Sequence, residues 1–379
     1  MILKENANFS KKKILVIGQT PPPYGGQAVM IDYMLNCNFE HIELFHVRMC
    51  FSREMNERGK ISFYKFTHIF SIIKQTYFLK FKHKIKVLYY PPSNSPKISI
   101  IKDIVLLLFT RFIFKKVIFH FHAAGISEEI PKMNPILKAI ALLALGKPDL
   151  AITSSEFNPQ DGKYLKASKT TIIPLGIPDV YPASEARSQT ATDAPIKLLF
   201  VAVLNSTKGE GVLLDAVYKL HQTGYKVELH IAGKFEAEEY RNLFFQNVKQ
   251  YGLDNYVKYL GVIKGKEKEQ AFLEADIFCF PSFFISESFG VVLLEAMEYK
   301  LPLVATKWRG IQSVVEDGRN GYLVDIKNAD QLAEKLLTLI RDPSLIETMG
   351  NNSRDMFIEK YTVEKYINNL NTAFLSIYN

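Results

Sequence analysis

Two glutamates bracket a glycine in the run Glu287-Ser288-Phe289-Gly290-Val291-Val292-Leu293-Leu294-Glu295. A strand-like segment, Ala275–Pro281, comes before it, and a helix-like segment, Val291–Met297, follows Gly290. On one continuous helix their spacing would be just over two turns, so both carboxylates would share a face. Glu287 lies ahead of the helix, however. The pattern puts Phe289 and Gly290 at its first turn, where free backbone N–H groups gather positive potential. A strand, a tight glycine turn and a helix N-terminus make an anion site. Carboxylates above and below that anion fit the hydroxyls flanking a phosphate, a sugar on one side and a ribose on the other. The same spacing also arises from an N-terminal-turn glutamate followed by a solvated helix glutamate, so the surroundings decide.

Those surroundings are dense in motif. The block opens with Ala275-Asp276-Ile277-Phe278-Cys279-Phe280-Pro281-Ser282 and continues past Ala296-Met297 to Leu301-Pro302-Leu303-Val304-Ala305-Thr306. Arg309-Gly310-Ile311, Glu316-Asp317-Gly318 and Asn320-Gly321-Tyr322-Leu323-Val324 follow. This block resembles the donor-binding half of the retaining nucleotide-sugar glycosyltransferases of family 4. Those enzymes have two Rossmann-like domains facing a central cleft, the GT-B fold. The resemblance is strong from Lys197 to Asp342 and thinner, but still ordered, from Lys13 to Pro178. It implies an α/β chain with an acceptor domain over 1–185 and a donor domain over 194–355. A C-terminal helix over 356–379 is expected to cross back to the first domain.

The resemblance also assigns roles. Lys208-Gly209 falls between a strand and a helix, where a lysine reaches a pyrophosphate at the strand ends. The family's usual companion arginine is replaced here by Val203, with Lys234 or Arg309 as substitutes. Glu287 is expected on the sugar hydroxyls and Glu295 on the ribose. The backbone of Phe289, Gly290 and Val291 is expected on the phosphates. Gly25-Gly26 opens the first helix and matches glycines beside the donor phosphates, although G-x-G-x-x-G is absent. Gly233 completes the expected donor set, together with Val262 and Ile263 after Gly261, whose backbone reads the base. His120 and His122 share one face of an apolar strand. His122, before Ala123-Ala124-Gly125, matches the family histidine near the reacting carbon. The implied catalytic set is therefore His122, Lys208 and Glu287. The departing phosphate accepts the acceptor's proton, and the protein positions groups and stabilises leaving-group charge.

Elements that alternate between strand and helix carry these residues. Continuous apolar runs predict strands at Lys13–Gly18, Ile42–Val47, Val87–Tyr90, Val117–His122, Leu150–Thr153 and Thr170–Pro174. A second series spans Lys197–Val203, Val227–Ala232, Val257–Gly261, Ile277–Pro281, Leu303–Thr306 and Gly321–Val324. Helices are expected at Gln27–Leu35, Val212–Leu220 and Thr362–Tyr378. Unbroken apolar strands separated by helices imply parallel sheets covered on both faces. The polar stretch Pro182–Pro195 reads as the linker.

Charge and composition narrow the function classes. The 379 residues suit two domains, and 47% hydrophobic with 23% charged residues describes a globular protein. Three cysteines without ligand spacing read as reduced thiols. No D-x-D and no His/Cys cluster occurs, so neither a metal nor another cofactor is expected. Residues 1–190 hold 26 Lys+Arg against 14 Asp+Glu, and the remainder of the chain is net acidic. Much of the excess lies in Arg53–Lys86, among Phe63, Tyr64, Phe66, Phe70, Tyr77, Phe78 and Phe81. That mixture fits an anionic membrane surface, or else an amphipathic helix with its aromatics in the core. Nucleic acid is not expected, because no nucleic-acid motif accompanies the charge. Ile98–Phe114 is interrupted by Lys102, Asp103 and Arg111 and reads as a buried helix rather than a membrane span. The run Ile14–Gly18 is too short for a signal peptide. The resemblance implies a nucleotide-sugar donor and a glycan or lipid-linked acceptor, and together with these features it predicts a cytoplasmic enzyme, peripheral on the inner face of the membrane. A catalytically silent subunit or a nucleotide-sugar epimerase on the same fold are the alternatives.

Overall fold

The computed structural model describes residues 11–22, 24–51, 63–93, 97–182 and 194–378. The chain forms two compact units. The first comprises the described residues up to Ser154, then Asn158–Ile173 and the segment from Tyr366 onward; the second comprises Ser155–Phe157 and the described residues of Pro174–Lys365. The units thus divide at Ile173/Pro174 and Lys365/Tyr366. Most of the expected linker, 183–193, lies outside the described residues.

The first unit holds β1 (Lys12–Gly18), β2 (Ile42–Arg48), β3 (Val87–Tyr90), β4 (Lys116–Phe121), β5 (Leu150–Thr153) and β6 (Lys169–Ile172). They pair in parallel in the order β2-β1-β3-β4-β5-β6. Ile14, Leu15, Val16 and Ile17 are all buried, which explains the unbroken apolar run. Its helices are α1 (Gly26–Asn36), α2 (Phe63–Lys82), α3 (Lys97–Thr110), α4 (Ile126–Glu129), α5 (Pro135–Leu145) and α6 (Asp161–Tyr164). Two expectations change here. β4 ends at Phe121, so His122 lies one residue beyond the ladder. β6 stops at Ile172, and Pro174 has no N–H with which to continue a ladder.

Helix α3 differs from the expected buried helix. It buries Ile100, Ile104, Leu106 and Leu107 but exposes Ile98, Ile101 and Phe109. On α2, Phe70, Tyr77, Phe78 and Phe81 are exposed, so these four rings are not core residues. The side chains of Phe63, Tyr64 and Phe66, and all of Arg53 to Ser62, lie outside the described residues.

The second unit holds β7 (Ile196–Val201), β8 (Val227–Ala232), β9 (Val257–Gly261), β10 (Ile277–Phe280), β11 (Leu303–Thr306) and β12 (Gly321–Val324). They pair in parallel in the order β12-β11-β10-β7-β8-β9. Its helices are α7 (Glu210–Gln222), α8 (Glu238–Gln250), α9 (Lys266–Glu274), α10 (Val291–Glu298), α11 (Ala329–Arg341) and α12 (Pro343–Lys360). β7 ends two residues earlier than expected. The apolar pattern runs on because Leu204 is buried in the loop that follows, not because the ladder continues. α7 starts two residues early, since Gly209 adopts a left-handed conformation (φ 92°) and caps it directly. Segment Pro174–Tyr181 is held on this unit: Arg354 makes two 2.8 Å bonds to Asp179, and the Val180 N–H donates to Glu298.

The last helix, α13 (Val363–Leu375), buries Tyr366, Leu370 and Phe374 at helical spacing. Ile377 falls in the turn beyond its end. Phe374 packs on Phe39 and edge-on to Tyr89, and the Tyr378 hydroxyl donates to the Lys13 carbonyl at 2.9 Å. Residues from Tyr366 onward are therefore core of the first unit. Phe374→Ala should destabilise that unit by about 3 kcal/mol or more, the usual range for a buried ring. Urea denaturation measures it, and an unshifted midpoint would mean that the helix is not part of this core.

Candidate functional site

In the second sheet β7 and β10 are neighbours, and the strands that follow each of them lie in opposite directions. Open α/β sheets bind ligands outside the strand carboxyl ends at such a switch point. The loops leaving β7 and β10 carry Lys208 and Glu287. They meet closely: a Cβ on Gly209 would sit 2.2 Å from the Pro281 carbonyl oxygen. Only glycine fits there, both by space and by φ. The Phe283 N–H donates to the Thr207 carbonyl at 2.9 Å and ties the two loops together. Asn205 shapes the first loop by accepting from Thr207 at N and Oγ1. Thr306 Oγ1 donates to the Ser282 carbonyl and Trp308 Nε1 to that of Phe284 at 2.8 Å, fixing the second loop from β11's side.

This frame sets Lys208 Nζ 2.7 Å from Glu287 Oε2, with both side chains largely buried. Ser282 Oγ donates to the same carboxylate oxygen at 3.3 Å, and the ammonium lies 4.3 Å from the Phe284 ring centre. A buried charge pair keeps its conformation because breaking it strands an unpaired charge. Gly290, left-handed at φ 78°, caps α10. Phe289 is fully buried against Tyr361, so only its backbone can serve a ligand. At the start of α10 the Leu293 N–H donates to the Gly290 carbonyl at 2.8 Å, and the N–H groups of Val291 and Val292 come before it in the first turn, where a helix gathers positive potential. Glu295, about one turn into α10, accepts from Lys268 Nζ of α9 at 2.7 Å. The two glutamates thus do not share a helix face as a pair; each has its own lysine. Glu210, the first residue of α7, is buried beside Tyr240. Burial pushes its carboxyl up to about 7, against the pull of the Tyr240 hydroxyl and the Lys208 charge.

Gly233 supports the site from beneath. At φ 140° its backbone lies so close to Ala202 that a Cβ would overlap that carbonyl. Its N–H donates to Gly261 at 2.7 Å, and its carbonyl accepts from Tyr259 at 2.8 Å. Val262, just past β9, is exposed, and Ile263 is half-buried. Val203 is exposed and, being aliphatic, supplies no charge. Of its two expected substitutes, Lys234 is exposed, whereas Arg309 is buried against Trp308.

In the first unit, Gly25 is the extended N-cap of α1 (φ −163°), and Gly26 is the helix's first residue. Neither has the left-handed backbone that would demand glycine. Arg48, unremarked in sequence, donates to the carbonyls of Thr20, Pro21 and Pro22 and holds the loop after β1. His120 and His122 lie with ring centres 4.0 Å apart, both on the Tyr89 hydroxyl: His120 Nδ1 at 2.8 Å and His122 Nε2 at 3.3 Å. Burial pushes the His122 imidazole down to about 3 and lowers that of His120 as well. Both are neutral near pH 7. Asp161 orders the turn that follows, accepting from the N–H groups of Gly125 and Ser127 at 2.8 Å each.

Three residues of these sites escaped sequence reasoning. Lys268 and Tyr89 lie in ordinary helical and strand patterns, and Arg48 ends a strand; only contact reveals them. Among the described residues no three His, Cys, Asp or Glu side chains gather as a metal site.

Residues 183–356 match the Glycosyl transferases group 1 family. The matched segment, just under half of the chain, is a segment of this family. It is 34% identical over 140 residues to the phosphatidyl-myo-inositol mannosyltransferase of Mycobacterium leprae, covering 37% of this chain and 36% of that protein. It is 28% identical over 180 residues to the putative colanic acid biosynthesis glycosyltransferase WcaL of Salmonella typhimurium, covering 46% and 44%. The chain thus matches less than half the length of either relative. The crystal structure of Anabaena Alr3699/HepE in complex with UDP aligns over 96% of this chain and all of that one, with a TM-score of 0.70 at 18% identity. The architecture is the GT-B fold, with two Rossmann-like six-stranded sheets.

The histidine pair yields a pH prediction. A folded pKa below the unfolded value means that the unfolded chain binds more protons between about pH 6.5 and 3, so stability is lost as pH falls through that window. Relative to wild type, His122→Gln should reduce the stability difference between pH 7 and pH 5 by about 2 kcal/mol. Chemical denaturation at the two pH values measures it, and an equal difference in both proteins would mean that the imidazole titrates normally.

Proposed function

We propose that this protein is a retaining glycosyltransferase that moves a sugar, most simply a hexose, from a UDP- or GDP-linked donor. The acceptor is a glycan or lipid-linked intermediate of bacterial surface polysaccharide at the cytoplasmic face of the membrane. The observation that carries this reading is the cluster at the second sheet's switch point. A cation, Lys208, and the start of α10 converge where a diphosphate would sit, with Glu287 and Glu295 placed to take hydroxyls on either side. Both carboxylates are already paired with lysines, Glu287 largely buried and Glu295 half-buried, so a ligand's hydroxyls meet oriented acceptors. Lys208 would stay near the leaving diphosphate and stabilise its growing charge. The acceptor's proton passes to the departing phosphate oxygen, which needs no protein base. His122, neutral at working pH, would exchange hydrogen bonds with the donor sugar rather than act as an acid. The family match over residues 183–356, and the UDP named in the HepE structure, support the donor class.

The silent-subunit alternative draws on Val203 alone, and measurement separates it. Glu295→Ala should raise the UDP dissociation constant by one to two decades, about 1.5–3 kcal/mol for charge-assisted bonds. Calorimetry reads this, and an unchanged affinity in a folded variant would remove Glu295 from the ribose role. Lys208→Met keeps the stem over Phe284 and removes the charge. Turnover should fall on the order of 10²-fold, more than UDP affinity does. Retained activity would refute the leaving-group assignment. Activity should survive EDTA, and its loss would point to a metal.

A further inference from the structure

Helices α2, α3 and α5 form one layer over the first sheet, with α3 touching both of the others. They share a core that contains Ile72, Ile104, Leu107 and Ala144, and the Tyr77 hydroxyl of α2 donates to the Phe109 carbonyl of α3 at 3.0 Å. The outward side of this layer is unusually apolar. About half of the large apolar side chains exposed among the described residues lie on it. They include Phe70 at 71% exposure, Ile136 at 75%, and Phe78, Phe109, Phe112 and Leu143 at 59% each. Folded chains rarely leave so many together without a partner.

The charge on the layer has one sign. From Phe63 to Ser127 the only acidic residue is Asp103, and none occurs on α5. Asp103 is buried, bonded to the Tyr90 hydroxyl at 2.7 Å and the Ser93 N–H at 2.6 Å. Lysines stand among the rings: Lys80 over Phe81 at 4.4 Å and Lys82 over Phe78 at 5.2 Å. Where α2 ends, Lys80, Lys84, Lys86 and Lys115 line a groove of about 250 Å³ with Phe81. Lys86 and Lys115 precede β3 and β4, so the groove lies at the amino-terminal edge of the sheet, opposite the edge bearing Gly25 and His122.

We infer that this layer is a docking face for an anionic bilayer, its aromatic and aliphatic side chains entering the headgroup boundary and the four-lysine groove receiving lipid phosphate. A symmetric contact with a second copy would set lysines against lysines, which argues against self-association. Among the described residues no helix is long and apolar enough to cross a membrane, so the layer lies on the bilayer rather than through it. This deepens the membrane-side acceptor proposed above and is tested apart from it.

The test is flotation of the full chain with phosphatidylcholine vesicles, with or without about 30% phosphatidylglycerol, at low and high salt. Binding should require the anionic lipid and weaken as salt screens the lysines. The combined substitution Lys80→Gln, Lys84→Gln, Lys86→Gln and Lys115→Gln should lower vesicle affinity about tenfold or more. Phe78→Ser, Phe109→Ser and Phe112→Ser together should weaken binding similarly while keeping its salt dependence. Both variants should melt cooperatively and bind UDP like wild type. No binding by wild type, or equal binding to neutral vesicles, would overturn the proposal. So would a dimer on gel filtration that the phenylalanine variant disperses. Vesicle binding by a chain that binds neither UDP nor GDP would instead refute the donor reading and leave the docking face standing.

Discussion

The candidate site depends on one close approach, the backbone of Gly209 against the carbonyl of Pro281. Two loops leave adjacent parallel strands there, and any side chain at position 209 would push them apart. With the loops in contact, a lysine from one and a glutamate from the other meet at 2.7 Å in a largely dry setting. Gly233 makes a comparable contact at the end of β8, against the carbonyl of Ala202. The site floor is thus built by removing side chains, and the walls by pairing charges. Parallel strands make this possible, because every strand delivers its carboxyl end to the same edge.

Charge divides the molecule's work. The second unit holds Lys208 and Lys268 at the candidate site and neutralises each with a carboxylate. The first unit keeps its buried histidines neutral and carries its surplus lysines on the surface of α2 and the turns beside it. One sequence therefore uses positive charge in two ways. Inside, it is paired and positioned; outside, it is solvated and summed over many residues.

Much of this was legible in the residues. Twelve strands were anticipated. The central ones were marked by continuous apolar runs, since strands covered on both faces have no polar side to interrupt the signal. By contrast, β2, β6 and β9 at the sheet edges carry polar residues and are partly exposed. Errors gathered at element ends. Leu204 is apolar because a loop buries it, and Thr362 and Ile377 flank α13 without belonging to it. The glutamates and Lys208 were visible because glycine and proline punctuate their surroundings. Lys268 was not, because a lysine among the charges of α9 looks like any solvated residue until Glu295 is found beside it. The exposure of Phe70, Phe78 and Phe81 was equally hidden: periodicity says that a helix has two faces, not which one is covered.

Tyr89 carries a single hydroxyl proton yet contacts two imidazoles. If it donates to His120 Nδ1, its oxygen is left to accept from His122 Nε2, and both rings carry their proton on Nε2. If it donates to His122 instead, both rings carry the proton on Nδ1. The two histidines therefore share one tautomeric state and exchange it together. Whether Nδ1 of His122 offers a proton or a lone pair is set at His120, one fully buried ring further in.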